Sequence, residues 1–205
     1  MERIKNIEKA CAAFLQFDSI EEIENIPNGH INVTDRVKIN GKNYILQRIN
    51  TTIFKDPVGL MNNIASVTEF MRKKINEAGG DPDRETLSLV KANDGKFYHE
   101  NENGFYRMYL YITDSTCYNK AEKPGMFGES AKAFGRFQNL LSEFDATVLT
   151  ESIKDFHNTP VRFQNLVNAI NADKVGRVAE CKDEIEFYLA RKDFCSTITD
   201  RLADG

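Results

Sequence analysis

Apolar residues recur with two different periods along the chain, and the switch between them divides it. Over residues 3–16, Ile4, Ile7, Ala10, Cys11, Phe14 and Leu15 share one helical face, which predicts an amphipathic helix. A short acidic turn follows, then Ile26-Pro27-Asn28-Gly29-His30, a loop signal. From Ile31 to Ile39 the period drops to two, with apolar residues at Ile31, Val33, Val37 and Ile39. Asn40-Gly41 predicts a tight hairpin, and 42–50 the return strand. Asp56-Pro57 then opens a long helix carrying Leu60, Ile64, Val67, Phe70, Met71 and Ile75, stopped at Gly79-Gly80. After a turn at 81–83, residues 86–90 predict a strand. Asn93-Asp94-Gly95 turns into 96–99, and 101–104 turns again. The run 105–112, FYRMYLYI, is too apolar for an edge strand with one wet face. From Asn119 onward the pattern is helical, over about 120–144, 160–172 and 175–194, with Thr159-Pro160 marking one helix start.

The expected fold class is therefore α+β. A β-rich part (about 26–113) with one long helix precedes an all-helical part, and the expected domains are 1–113 and 114–205. At 205 residues and 41% hydrophobic, the chain can bury a sizeable core. The balance of 27 basic against 31 acidic residues leaves a net charge of −4, without the basic excess of a nucleic-acid or membrane-surface binder. The N-terminus carries no apolar signal-type run and nothing later approaches a membrane span, so a cytoplasmic location is expected. Cys11, Cys117, Cys181 and Cys195 form no CxxC pair and no His stands at zinc-ligand spacing, so free thiols and no metal site are expected.

The order of elements suggests chemistry. A glycine-bearing loop, a hairpin, a helix, and further strands leading into helices match the small lobe of a kinase-like fold. There the first hairpin covers nucleotide phosphates, the return strand places a cation on them, the helix supplies an orienting carboxylate, and the last strand leads to a hinge that binds adenine. The candidates here are Gly29, His30, Asn32 and Thr34 in the loop, Gln47 and Arg48 on the return strand, Glu69 on the helix, and Leu110, Tyr111 and Ile112 at the hinge. Each also has a plainer explanation. One glycine suits any tight loop, Arg48 and Glu69 suit a solvated surface, and the hinge residues suit a core strand. Gln47 and Arg48, as strand neighbours, point to opposite faces.

Longer strings sharpen this. GHINVTDRV, YILQRINTTIFKDPVGLMNNI, GGDPDRETLSLV, RMYLYI, GRFQNLLSEF and DFHNTPVRF together resemble the N-acetylhexosamine 1-kinase-like branch of the aminoglycoside phosphotransferase/homoserine kinase-like superfamily, over residues 20–194. The resemblance implies an ATP-dependent phosphotransferase using Mg2+ and acting on a sugar or other hydroxyl acceptor. By resemblance, Gly29–Thr34 forms the phosphate-covering loop and RMYLYI the hinge. Gln47 stands where superfamily members commonly have Lys or Arg, with Arg48 beside it, which leaves the phosphate-contacting residue open. His157, Asn158 and Arg162 are candidate sugar contacts, although capping by Asn158 or Thr159 and stapling by Phe156 and Phe163 explain the same residues.

One departure matters more. The superfamily's catalytic motif, His-x-Asp-x-x-x-x-Asn followed by a metal-binding Asp, is absent: His30, His99 and His157 all lack the required series. No catalytic residue or metal ligand is therefore assigned within these 205 residues, and the chain resembles an N-terminal piece, expected to be inactive alone. The alternative is a non-catalytic nucleotide-binding or interaction module ending naturally at residue 205. Either way Phe134, Phe137, Leu141, Phe187 and Leu189 are expected at exposed helical faces, which predicts a homodimer or swapped contact.

Overall fold

The computed structural model describes residues 2–27, 29–118 and 120–204. Asn28, Asn119 and Gly205, named above at the loop, the seam and the chain end, lie outside the described residues. The described chain forms two compact units, Met1–Ser152 and Ile153–Gly205.

The first unit is built on a five-stranded antiparallel sheet with strand order β1-β2-β3-β5-β4. The strands are β1 (Glu22–Asn25), β2 (Val33–Ile39), β3 (Lys42–Ile49), β4 (His99–Asn101) and β5 (Gly104–Leu110). The expected α+β class is the one observed. Asn40 and Gly41 take positive φ of 51° and 73°, the two-residue turn that their sequence favours between β2 and β3. β5 is internal, as its apolar run requires.

The two sheet faces are covered by different helices. Helix α1 (Glu2–Ala12) sets Ile7, Ala10 and Cys11, followed by Phe14, against Val37, Ile39, Tyr44, Leu46 and Met108. On the other face, Ile49 and Phe105 pack with Met61, Leu60 and Ile64 of the long helix α2 (Pro57–Glu77). Asp56 caps α2 by accepting from the Gly59 N–H at 2.8 Å. A Cβ at Gly59 would lie 2.2 Å from the Asp56 carboxylate and 2.8 Å from the Thr150 hydroxyl, so a larger residue there would displace the cap.

Several elements differ from expectation. The acidic segment read as a turn is β1, with a single apolar residue, Ile23. It is held by pairing with β2 and by Glu22 and Glu24 opposite Arg36 and Lys38. β2 begins at Val33 rather than Ile31. Residues 86–90 do not form a full strand. They flank β5 through one bridge, Leu89 to Tyr109, supported by Val90 N–H to Met108 C=O and Leu110 N–H to Ser88 C=O. The turn at 81–83 winds instead into helix α3 (Pro82–Glu85), with Asp81 as its cap. The strand before β5 is 99–101 rather than 96–99.

Helix α4 (Met126–Leu140) starts later than residue 120, after Pro124 and a left-handed Gly125. In the second unit, α5 (Thr159–Ala172) follows expectation. The segment 175–194 breaks up: a positive-φ Gly176 precedes the turn Val178–Cys181, helix α6 (Lys182–Leu189) and the turn Lys192–Phe194, and a further helix α7 (Thr197–Asp204) follows.

Candidate functional site

β-Pairing fixes which side chains share a face. Thr34 stands opposite Gln47, and Gln47 opposite Arg107, so these three form a row across β2, β3 and β5. Ile49 and Phe105 lie two positions away on their strands and pack on α2, so by the period of two the row lies on the α2 face. The row is bonded throughout. Gln47 donates from Nε2 to the Thr34 hydroxyl at 2.8 Å. Its Oε1 accepts from both Nε and Nη2 of Arg107, at 2.9 and 2.6 Å.

Arg107 is the residue that sequence reasoning missed. The signal was present as a lone cation inside the apolar run FYRMYLYI, but only register shows that it meets Gln47. Its guanidinium also lies 6.0 Å from the centre of the Tyr109 ring. Burial pulls its pKa down from the ordinary value and pushes that of Tyr109 up. Arginine nevertheless stays charged at neutral pH. Among the described residues it has no carboxylate partner. Arg36 and Lys38, on the same face, do: Arg36 pairs with Glu24 at 2.7 Å and Lys38 with Glu21 and Glu22 at 3.5 Å.

Arg48 faces the other way. Its Nη1 donates to the Asn103 carbonyl at 3.4 Å, and its stem lies against Gly104, whose φ of 146° admits no side chain there without strain. Arg48 also lines a cavity of about 280 Å³ with Arg3, Asn6, Asp35 and Tyr106, on the α1 side of the sheet. Gln47 and Arg48 are thus separated by the sheet itself.

The loop before β2 links two neighbouring strands, since β1 pairs with β2 and the Ile26 N–H donates to the Thr34 carbonyl at 2.9 Å. Gly29 and His30 are exposed. A Cβ on Gly29 would be 3.6 Å from the Asn32 carbonyl and 3.9 Å from the Thr34 hydroxyl, which is ordinary contact. Asn32 ties the loop to the end of β3, its Oδ1 accepting from the Asn50 N–H at 2.9 Å. Glu69 is exposed on α2 and makes no ion pair with Arg48 or Arg107 among the described residues.

At the hinge, the N–H groups of Leu110 and Tyr111 are engaged by the Ser88 and Asn43 carbonyls, at 2.9 and 3.1 Å. The Ile112 carbonyl accepts from the Ser115 hydroxyl at 2.9 Å. The side-chain oxygen of Asn43, beside Tyr111, is buried without a partner. The Tyr111 ring carries Arg36 at 5.7 Å. In the second unit, Asn158 caps α5, accepting from the Val161 N–H at 3.2 Å. Arg162 donates to the Phe156 carbonyl at 3.0 Å and lies 5.2 Å from the Phe156 ring, which also meets His157 edge-on. Helix entry thus occupies all three of these residues.

No group of three or more His, Cys, Asp or Glu side chains able to hold a metal occurs among the described residues, and no helix there is long and apolar enough to cross a membrane.

No protein-family model matches the chain. Among solved structures, a crystal structure of spectinomycin phosphotransferase, APH(9)-Ia, in complex with ADP and spectinomycin is similar over 90% of this chain and 55% of that one. The identity is 11% and the TM-score 0.45, a distant likeness. This chain spans about half the length of that phosphotransferase.

Proposed function

We propose that residues 1–113 are the nucleotide-binding lobe of an ATP-dependent phosphotransferase whose acceptor is a sugar hydroxyl, as in N-acetylhexosamine 1-kinases. The observation that carries this reading is the row Thr34–Gln47–Arg107 on the α2 face, next to a loop joining two paired strands. It supplies hydroxyl, amide and guanidinium donors on one surface, the groups that bind phosphate. A nucleotide laid along β3 has its base toward Asn43 and Ile112 and its phosphates toward Gln47 and the loop. These ends lie about 13 Å apart at ~3.3 Å per residue.

The residues present fit the nucleotide better than its metal. With no carboxylate cluster on the described residues, Mg2+ would enter on the phosphates, where it neutralises charge. What this chain's own residues do is bind and orient. The Asp that takes the acceptor's proton belongs to the motif that the 205 residues lack, so the expected activity of this chain alone is binding without turnover.

The test is thermal unfolding of the 205-residue chain with millimolar ATP and Mg2+. A rise in Tm is expected, without release of ADP. Gly29→Val is expected to reduce the rise while leaving the ligand-free Tm within a few degrees, because a Cβ at this exposed position makes only ordinary contacts. No shift for the wild type contradicts the reading.

The second reading is an interaction module that pairs with a second copy of itself. Its support is apolar exposure: Phe127 is 79% and Phe134 68% exposed on α4, Val175 80% and Phe194 75% in the second unit.

A further inference from the structure

We propose that Arg107, one strand across from the expected cation position, is the phosphate-contacting cation of this chain, and that Gln47 is its positioning residue. This rests on the nucleotide reading above and assigns a role that reading leaves open.

Three observations converge. The first is position. Gln47 stands on the strand where a cation is expected, and Arg107 is its direct partner on β5. The positive charge has moved one strand sideways on the same face, whereas Arg48 is on the opposite face. The second is charge balance. A half-buried guanidinium bonded only to a neutral amide pays desolvation without an opposite charge. A phosphate at this face supplies the missing anion.

The third is the geometry of the fork. Gln47 Oε1 takes the edge formed by Nε and Nη2, which fixes the guanidinium plane. Nη1 has no hydrogen-bond partner among the described residues and, with the second Nη2 hydrogen, remains to donate to an anion. Gln47 is itself held by donating to Thr34. The chain Thr34–Gln47–Arg107 therefore connects the base of the phosphate-covering loop to the cation. The ligand class is a nucleoside di- or triphosphate, and contact is with the phosphates rather than the base.

The experiment is calorimetric titration of the 205-residue chain with three probes: ATP with Mg2+, ADP with Mg2+, and adenosine. Arg107→Gln is expected to weaken ATP and ADP at least tenfold and leave adenosine unchanged. Arg107→Lys is expected to retain most of the affinity, Gln47→Leu to lose several-fold for the phosphorylated probes only, and Arg48→Gln to bind like the wild type. Loss in Arg48→Gln with none in Arg107→Gln overturns the assignment and leaves the nucleotide reading intact. Equal loss for adenosine in Arg107→Gln also overturns it, since that marks a structural role. A wild type that binds none of the probes overturns both. The wild-type chain gives an independent readout that needs no variant. In its NMR spectrum the Arg107 Nε–H signal is expected to move on ATP addition while that of Arg48 stays, and the reverse contradicts the proposal.

Discussion

Cys11 shows how far one side chain can be displaced from its ordinary chemistry. It is fully buried between α1 and the sheet, and burial first, then the nearby Asp35 and Glu8 carboxylates, pushes its pKa up to about 12 from an ordinary 9.0. At neutral pH the thiol is protonated both folded and unfolded, so its contribution to stability is fully present. Between pH 9.0 and about 12 the unfolded chain ionises and the folded chain does not. Stability is expected to fall there by about 1.4 kcal/mol per pH unit. Labelling by a thiol reagent at pH 8 checks the same burial. Cys117, exposed, is expected to react at once, and Cys11 only after unfolding in urea. Equal rates for the two would contradict the packing of α1.

At the scale of elements, α2 ties unit 1 together. Its sheet-facing side holds Ile49 and Phe105, while other residues grip 143–152: Phe70 meets Phe144 edge-on at 5.3 Å, Lys74 pairs with Glu143, and Asn63 both accepts from and donates to the Thr150 backbone. Phe105→Ala empties a fully buried position and is expected to cost about 3–5 kcal/mol, read as a shift in the urea midpoint. Asn63→Ala removes surface hydrogen bonds and is expected to cost only about 1 kcal/mol, with faster hydrogen exchange at the Thr150 amide. If the two variants cost the same, the packing described for Phe105 is wrong.

Elements with strong local signals were legible in the sequence. The Asn40-Gly41 hairpin, the Asp56-Pro57 helix start and the apolar β5 each carry their own chemistry. β1 was not legible, because a strand with one apolar residue has no period and exists through pairing with β2. The split of 175–194 was hidden by an otherwise helical composition. The candidate site was half legible. The loop and the Gln47/Arg48 pair were visible, but which of them faces α2, and that Arg107 joins them, depends on register between distant strands.

At the scale of the whole molecule, exposed apolar surface is the notable physical feature. Exposed Phe127, Phe134, Phe187 and Phe194 are expensive to leave in water. Multi-angle light scattering of the purified chain is expected to give a dimer mass, and Phe127→Glu with Phe134→Glu to shift it to monomer. A monomer for the wild type across micromolar concentrations would argue against self-association.

Nucleotide binding at the α2 face of the sheet is the proposal from which the others follow. Its most direct test is an ATP–Mg2+ titration of the 15N-labelled chain, followed through its backbone amides. The predicted result is shifts concentrated at 29–34, Gln47, Arg107 and Ile112, with the α1 residues Ile7 to Cys11 unmoved. No shifts at millimolar ATP, or shifts centred on the Arg3–Arg48 cavity beside α1, would contradict it.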